Sequence, residues 1–158
     1  MKIARKATIL AAALAALLLL TSSAKCCCTC AGTATPGYWK NHPQEWPPPP
    51  EDSIQIRIVN LTYTKAQCIE WMKKPTKGDK TLTMFPAYVA AVLNIRSGAC
   101  CEKILPVIDK AYTWLHDHPP GSKVKASSYA WKHGECLYRM LDKYNNGELC
   151  APSRDDLE

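Results

Sequence analysis

The sequence predicts a mainly α-helical protein: a small bundle of about four helices, behind an extended N-terminal segment and stabilised by disulfides. Three observations predict this fold. Apolar residues recur at the three- and four-residue spacing of α-helices in the C-terminal half of the 158-residue chain. Capping residues, glycines and prolines mark where those segments begin and end. All nine cysteines follow an N-terminus typical of exported proteins, which indicates an oxidising compartment.

The N-terminus has the three-part layout of a secretory signal peptide. A basic start precedes an apolar run over 7–20, and the small residues Ser22 and Ala24 predict cleavage before Lys25. The run is shorter than the ~20 residues of a transmembrane helix, and no second run of that length follows, so no integral membrane segment is expected after cleavage. The predicted organisation is a signal peptide (1–24), a cysteine-rich lead (25–36), one helical domain (37–150) and a charged tail (151–158).

The charge pattern argues against nucleic acid as a partner. The formal net charge is +6, but Lys2, Arg5 and Lys6 belong to the predicted signal peptide. The remaining basic residues are interspersed with acidic ones along the sequence, as between Glu70 and Lys74. The sequence therefore has no basic stripe of the kind that tracks a phosphate backbone.

Four cysteines closely follow the predicted cleavage site, at Cys26, Cys27, Cys28 and Cys30. They could form disulfides, one could carry a lipid, or their thiolates could bind a metal. Lys25 disfavours lipidation, and export together with the close spacing disfavours a tetrahedral metal site. Because the cysteine count is odd, at least one thiol is free, modified or bonded to a second chain, and a disulfide-linked dimer is one predicted outcome.

Aromatic residues are densest in one segment, here called the signature stretch: Gly37-Tyr-Trp-Lys-Asn-His-Pro-Gln-Glu-Trp-Pro47. On one interpretation its rings stack against sugars or a partner's side chains while polar neighbours form hydrogen bonds. The candidate binding residues are then Tyr38, Trp39, Lys40, Asn41, His42 and Trp46. On the other interpretation, which we favour, the rings pack on the helices, and Asn41 and His42 satisfy backbone groups.

A strand and a capped helix are predicted next along the chain. Isoleucines alternate with polar residues from Ile54 to Ile58, which predicts a short strand. Such a strand must pair with another strand or lie on helices. Thr64-Lys-Ala-Gln67 is a capping box that begins a helix, and Pro75 marks its end. Between them, Asn60-Leu-Thr is an acceptor pattern for N-glycosylation in a host that glycosylates exported proteins.

The following helix is predicted to span about 84–96. Pro86 then lies in the first turn, where proline is tolerated. Gly98 follows the last apolar residues and can end the helix in a left-handed conformation.

Two more helices complete the predicted bundle. The strongest helical periodicity covers 104–115, and Pro106 requires that helix to begin near Leu105 or to be kinked there. The last helix begins at Tyr129 or Glu135 and ends around Tyr144, where Asn-Asn-Gly terminates it.

Histidines provide the main hint of chemistry. His116 and His118 flank Asp117, and a His-x-His pair can chelate zinc or copper where the backbone is extended. At a helix end the two rings point apart, and we favour a structural role next to the helix dipole. The alternative function is a small metal-dependent or hydrolytic enzyme that uses His42, His116 and His118. No nucleophile elbow and no required carboxylate spacing accompany them, so no catalytic residue and no cofactor are predicted.

Four fragments occur in a fixed order: Thr35–Pro43 with Trp46–Pro47, Tyr63–Gln67, Ala91–Ile95 with Ser97–Ala99, and Leu141–Gly147 ahead of Cys150. Together they resemble an uncharacterised module of exported microbial proteins, mostly bacterial, whose members open with Cys-x-x-Thr-x-Gly-Tyr/Phe-Trp-Lys-Asn-His-Pro. The likeness covers nearly all of the mature chain. It implies secretion or surface display and no assigned enzymatic activity. Our own expectation is a secreted or cell-surface structural or binding module that contacts a surface polysaccharide or a protein.

The resemblance also implies a disulfide. Its usual members carry cysteines just before the aromatic stretch and after the final Asn-Asn-Gly. In this sequence that implies a bond from the 26–30 cluster, through Cys30, to Cys150. The other cysteines depart from the usual pattern; they are the cluster from Cys26 to Cys28, Cys68, the pair Cys100 and Cys101, and Cys136.

Overall fold

The computed structural model describes residues 31–47, 55–58 and 61–157. Over these residues the protein is mainly α-helical with one small sheet, which confirms the predicted fold class. The predicted signal peptide, the cysteines from Cys26 to Cys30 and the candidate glycosylation site Asn60 lie outside the described residues. Within them, none of the helices combines the length and the apolar character that a membrane span requires.

Five α-helices occur in the described part of the chain. They are α1 (Pro36–Asn41), α2 (Lys65–Lys73), α3 (Thr81–Arg96), α4 (Leu105–Asp117) and α5 (Tyr129–Asn145). Helices α2 to α5 are the predicted bundle, and α1 is a short additional helix in the signature stretch. Single 3₁₀ turns lie at Pro43–Glu45, Glu102–Ile104 and Arg154–Asp156.

The predicted start of α2 is confirmed, whereas the predicted start of α3 is wrong by about one turn. At α2 the capping box is complete, because Thr64 Oγ1 accepts the N–H of Gln67 and the Gln67 side chain accepts the N–H of Thr64. Helix α3 begins one turn earlier than predicted, so Pro86 lies inside the helix rather than in its first turn. Asp79 accepts the N–H of Thr81 at this end, a contact that apolar periodicity does not reveal.

The predicted strand is confirmed and has a partner. Strands β1 (Gln55–Ile58) and β2 (Leu61–Thr64) pair antiparallel, with Ile58 opposite Leu61. Strand β2 leads directly into α2. Tyr63 packs edge-on against Phe85 of α3, with 5.2 Å between the ring centroids, so the hairpin lies against the bundle.

Helix α3 forms the centre of the bundle and contacts α1, α2, α4 and α5. Most of its side chains from Met84 to Asn94 are buried, on every side of the helix. A helix that is apolar all round is stable only where neighbours cover it all round. This central position brings residues of four other helices within reach of α3 side chains.

The N-terminal lead pairs with the C-terminal tail. The Thr33 N–H donates to the Pro152 carbonyl and the Thr33 carbonyl accepts the N–H of Arg154, both at 2.8 Å. These bonds form a parallel bridge between Thr33 and Ser153. The backbones are so close that a Cβ on Gly32 would lie 2.3 Å from Arg154 Cα. The front of the signature stretch is thus fixed to the end of the chain.

The disulfide of the described structure joins Cys101 to Cys150, with 5.4 Å between their Cα atoms. Since a sulfur forms one disulfide, Cys150 is not bonded to Cys30, and the pairing that the resemblance implied is corrected. The physical reason is the position of the end of α5. The Tyr144 hydroxyl donates to the Ala99 carbonyl, which holds this end beside the segment that contains Cys101. Cysteine spacing alone does not reveal such a neighbour.

Candidate functional site

The two tryptophans of the signature stretch lie in the core. Trp39 is 2% exposed and Trp46 is 4% exposed. Thr35 begins α1 by accepting the N–H of Tyr38 at its Oγ1, and Pro36 occupies the first helical position. The Trp46 indole N–H then donates to the Trp39 carbonyl at 2.8 Å. Both rings serve as core packing, and neither presents a face to a ligand.

A buried hydrogen-bond network joins three of the fragments that carry the resemblance. Asn94 Oδ1 accepts the Trp39 indole N–H and the Ala34 N–H, both at 2.9 Å. The Asn94 amide donates to the Ala34 carbonyl and to Asn145 Oδ1, and the Asn145 amide donates to the Ala87 carbonyl. Both asparagines are fully buried. Sequence analysis gave neither a role, because a single Asn in an apolar helix does not indicate its partner.

Tyr38, Glu45 and Arg154 form a polar cluster at the surface. The Tyr38 hydroxyl donates to Glu45 Oε2, and Arg154 Nη1 donates to Tyr38 Oη at 2.7 Å and to Glu45 Oε2 at 3.2 Å. His42 stacks on the Tyr38 ring at 4.3 Å between centroids. The Tyr38 hydrogen bond, followed by the charges of Arg154 and His42, holds the pKa of Glu45 below its usual value. The cluster ties the signature stretch to the C-terminal tail.

Two other polar residues of the signature stretch retain contact with solvent. Asn41 is exposed and Lys40 is half-buried, both in the last turn of α1. A cation at this position is favoured by the helix dipole. The stretch therefore presents separate polar groups at the surface rather than a platform of aromatic rings.

The candidate histidines have local partners. His42 and His118 each donate from Nδ1 to a backbone carbonyl four residues earlier, at 3.0 Å. His116 Nδ1 lies 2.9 Å from the Asp117 carboxylate. Among the described residues, no three or more His, Cys, Asp or Glu side chains are grouped so that they could hold a metal ion.

The described thiols differ in exposure to solvent. Cys68 of α2 is fully buried, and burial raises its pKa to about 12. Its thiol therefore stays protonated at neutral pH and is a poor nucleophile. Cys136 is exposed on α5, where its thiol donates to the His133 carbonyl.

A wide basic cleft lies between the end of α2 and the loop that joins α4 to α5. Its volume is about 880 Å³, and Lys74, Lys77, Lys123 and Lys125 line it. Trp71 forms an aromatic wall, with the Lys74 ammonium 3.6 Å from the ring centroid. We call this surface, with its four lysines and Trp71, the lysine cleft.

One buried carboxylate holds the two sides of the lysine cleft together. Asp79 Oδ1 accepts the N–H and the hydroxyl of Thr81, and Asp79 Oδ2 accepts the N–H of Lys123 at 3.1 Å. Thr81 Oγ1 in turn accepts the N–H of Gly121 at 3.0 Å. Asp79 is the one acidic residue that lines the cleft, and its oxygens are occupied by these donors. Its charge therefore fixes the loop and leaves the lysines in excess.

The loop carries backbone strain at the cleft. Lys123 has a φ of 61°, and it is the one non-glycine residue of the described chain with a positive φ. This conformation costs about 1–3 kcal/mol, and such strain concentrates at functional sites. Gly121 also has a positive φ, and a Cβ there would lie 3.1 Å from the Trp71 ring. The loop thus approaches the tryptophan closely.

The lysine cleft is not predictable from the sequence patterns. Its lysines come from two segments, before Asp79 and after Gly121, which are far apart in the chain. Each segment alone is an ordinary polar turn between helices. The Lys77-Gly-Asp79 turn was the available signal, but it does not indicate which loop the Asp79 side chain holds.

Comparison with known proteins assigns neither a family nor a function. A scan against protein-family models found no match, and searches of curated proteins and of solved structures found none either. Function is therefore inferred from the chemistry of the residues described above.

Proposed function

We propose that this protein is a secreted or cell-surface binding module whose ligand is an acidic surface polysaccharide. The observation that carries the proposal is the lysine cleft, which is lined by four lysines and by Trp71. Export is supported by the signal-type N-terminus and by the resemblance to exported microbial modules. The Cys101–Cys150 disulfide fits the same compartment.

The chemistry of the lysine cleft favours a polymer with regularly spaced anionic groups. Lys74, Lys77, Lys123 and Lys125 are exposed rather than gathered into an enclosed pocket. Separate ammonium groups suit successive carboxylates or sulfates along a chain, because each contact in water is weak and several must add. Trp71 offers an amphipathic ring of the kind that packs against sugars.

The lysines of the cleft have few competing acids. Glu70 lies 3.9 Å from Lys74, in an exposed i,i+4 pair, and Asp79 is engaged with the loop backbone. An exposed pair of this kind contributes little and exchanges readily for a ligand carboxylate. The cleft therefore retains a positive field that can attract an anionic chain.

A charge-reversal experiment tests the proposal. The exported, purified protein is titrated with polygalacturonate, with neutral dextran and with single-stranded DNA. We expect Lys123→Glu/Lys125→Glu to weaken polygalacturonate binding by about tenfold or more, because two attractive contacts become repulsive. Lys103→Glu/Lys110→Glu is the matched control, since both lysines are exposed around the start of α4 and the charge change is the same. Binding should also weaken as salt is added.

Three results would contradict the proposal. The first is equal loss of binding in the cleft and control variants, which would indicate a response to net charge alone. The second is tighter binding to DNA than to polygalacturonate, which would favour a nucleic-acid partner instead. The third is binding of dextran as tightly as polygalacturonate, because the lysines would then have no role.

The odd number of cysteines leaves a thiol that could link two copies of the protein, and such a dimer would affect polysaccharide binding. Cys136 is exposed on α5 and is accessible to a second chain. A disulfide-linked dimer stays a prediction of the sequence, and in such a dimer two lysine clefts would engage one polymer, which raises the apparent affinity.

A further inference from the structure

A second cleft lies between the end of α4 and the start of α5. It has a volume of about 320 Å³ and is lined by Trp114, His118, Tyr129, Ala130 and His133. We call this surface the aromatic cleft. Its lining contains no Lys, Arg, Asp or Glu, in contrast to the lysine cleft. A ligand here therefore meets no Lys, Arg, Asp or Glu side chain of the lining.

The rings of the aromatic cleft form two pairs. Trp114 and His118 are stacked with 4.8 Å between their centroids, and Tyr129 and His133 meet edge to face at 4.2 Å. Tyr129 is 77% exposed, an unusual position for a large aromatic side chain with no structural task. Tyr129 and His133 are exposed and His118 is half-buried, while Trp114 is 7% exposed and contributes only its edge. Rings of this kind provide apolar surface together with polar edges.

The floor of the aromatic cleft is fixed before any ligand arrives. The Trp114 indole N–H donates to the Ala130 carbonyl at 2.9 Å. Gly134 of α5 leaves room for this ring, because a Cβ there would lie 2.7 Å from Trp114 Cε2. The His118 Nδ1–H donates to the Trp114 carbonyl, so its Nε2 is left as the hydrogen-bonding atom of that ring. Preorganised groups of this kind lose little entropy on binding.

We infer that the aromatic cleft is a subsite for one neutral pyranose ring of a glycan. The apolar C–H face of a sugar packs on the Tyr129 ring and the Trp114 edge, while His118 Nε2 and the His133 imidazole hydrogen-bond to its hydroxyls. The volume is at the lower end of the ~300–1,000 Å³ of small-molecule sites, which suits one ring rather than a long segment. The inference rests on these four side chains and does not require the lysine cleft.

Titration with neutral oligosaccharides tests the subsite. Chitohexaose and cellohexaose are added to the exported protein, and amide and indole N–H shifts are followed by NMR. We expect millimolar or tighter binding of at least one of them, with shifts at the Trp114 indole. Tyr129→Ala should weaken it about tenfold, which corresponds to about 1.4 kcal/mol. Because Tyr129 is exposed, the variant should keep the parent melting temperature.

Leu105→Ala is the matched control, since Leu105 is another exposed large apolar residue, on α4. It should bind as the parent does. His133→Ala provides a second variant of the cleft and should also weaken binding. The inference is overturned if neither oligosaccharide binds, or if both cleft variants bind like the parent. It is also overturned if Leu105→Ala weakens oligosaccharide binding as much as the cleft variants do.

The lysine variants separate this inference from the proposed function. Lys123→Glu/Lys125→Glu should leave neutral oligosaccharide binding unchanged, because neither lysine lines the aromatic cleft. If polygalacturonate binding proves independent of the lysines while oligosaccharide binding depends on Tyr129, the proposed function fails and the subsite stands. If the reverse holds, the subsite fails and the proposed function stands.

Discussion

The signature stretch and the lysine cleft contain similar residue types but use them in opposite ways. The signature stretch collects its aromatic residues in one short segment, and Trp39 and Trp46 are buried on the helices. The lysine cleft collects its residues from two distant segments, and Trp71 lies at a surface beside exposed lysines. A dense aromatic motif here marks an anchor of the fold, whereas the proposed binding surface is assembled only by folding.

The two regions also differ in how polar groups are used. Around Trp39, the side-chain amides of Asn94 and Asn145 form hydrogen bonds with partners of the same chain. At the lysine cleft, the Asp79 carboxylate likewise has partners in the same chain, but Lys77, Lys123 and Lys125 are exposed to water. Buried polar networks of the first kind specify one arrangement of the core, while solvated charges remain available to a partner.

The largest expected effect comes from truncating the anchor of the signature stretch. Trp39→Ala should lower the free energy of unfolding by about 4–5 kcal/mol, because a buried ring is lost and Asn94 loses a donor. Trp71→Ala is the matched control in the lysine cleft and should cost about 1 kcal/mol, since Trp71 is only half-buried. Urea unfolding followed by circular dichroism measures both. A Trp39→Ala protein of parental stability that had lost ligand binding would make the signature stretch the binding surface.

The Cys101–Cys150 disulfide should contribute nearly as much to the free energy of unfolding as Trp39 does. It closes a sequence separation of 49, for which the loop-entropy relation gives about 4 kcal/mol. In Cys101→Ala/Cys150→Ala the tail that pairs with Thr33 is also less restrained, so the Thr33 amide should exchange faster with solvent. Urea unfolding and hydrogen exchange measure the two effects. Cys136→Ala, at an exposed thiol, is the control and should unfold like the parent. Equal stability of all three proteins would refute a structural role for the bond.

Removing the Asp79 carboxylate behind the lysine cleft should lower the free energy of unfolding by an intermediate amount. Asp79→Ala leaves the N–H groups of Thr81 and Lys123 without their acceptor, which should cost about 2–3 kcal/mol. The Lys123 amide should exchange faster, and polygalacturonate binding should weaken because the loop is no longer held. Asp109→Ala, at an exposed carboxylate of α4, is the control and should change neither property. Unaltered exchange at Lys123 in the Asp79 variant would contradict the assigned role.

Local signals in the sequence were sufficient for most helix boundaries. The Thr64 capping box, Gly98 at φ 93° and Gly147 at φ 76° each act within a few residues, so their effect can be read from neighbours in the chain. The misplaced start of α3 is instructive. There the helix end is satisfied by Asp79, whose side chain also binds a loop that follows α4, and no local pattern records that contact.

Contacts between segments that are distant in the chain could not be predicted from the sequence. The bond between Cys101 and Cys150, the contact of Asn94 with Asn145 and the alignment of Thr33 with Ser153 each join segments that only the packed bundle brings together. The same holds for the lysine cleft. A single sequence shows which residues favour a helix or a turn, but it does not show which turns become neighbours.

The smallest predicted effect concerns the surface cluster of the signature stretch. The Tyr38 hydrogen bond keeps the pKa of Glu45 below its ordinary value of 4.5. A group with a lowered pKa in the folded state stabilises that state above its unfolded pKa, and the contribution is lost as pH falls through the folded pKa. Glu45→Gln should therefore be slightly less stable than the parent at neutral pH, and the difference should shrink below about pH 4.5.

Urea midpoints at about pH 7 and about pH 3 measure this difference for Glu45→Gln and for the control Glu148→Gln. Glu148 is exposed near the C-terminus and lies outside the cluster, so its substitution should show no such pH dependence. A difference between Glu45→Gln and the parent that stays constant from neutral to acid pH would mean that the carboxylate charge has no role in holding Tyr38 and Arg154 together. The cluster would then act through the hydrogen bond from the Arg154 guanidinium to the Tyr38 hydroxyl, and the signature stretch would be joined to the tail without a contribution from the Glu45 charge.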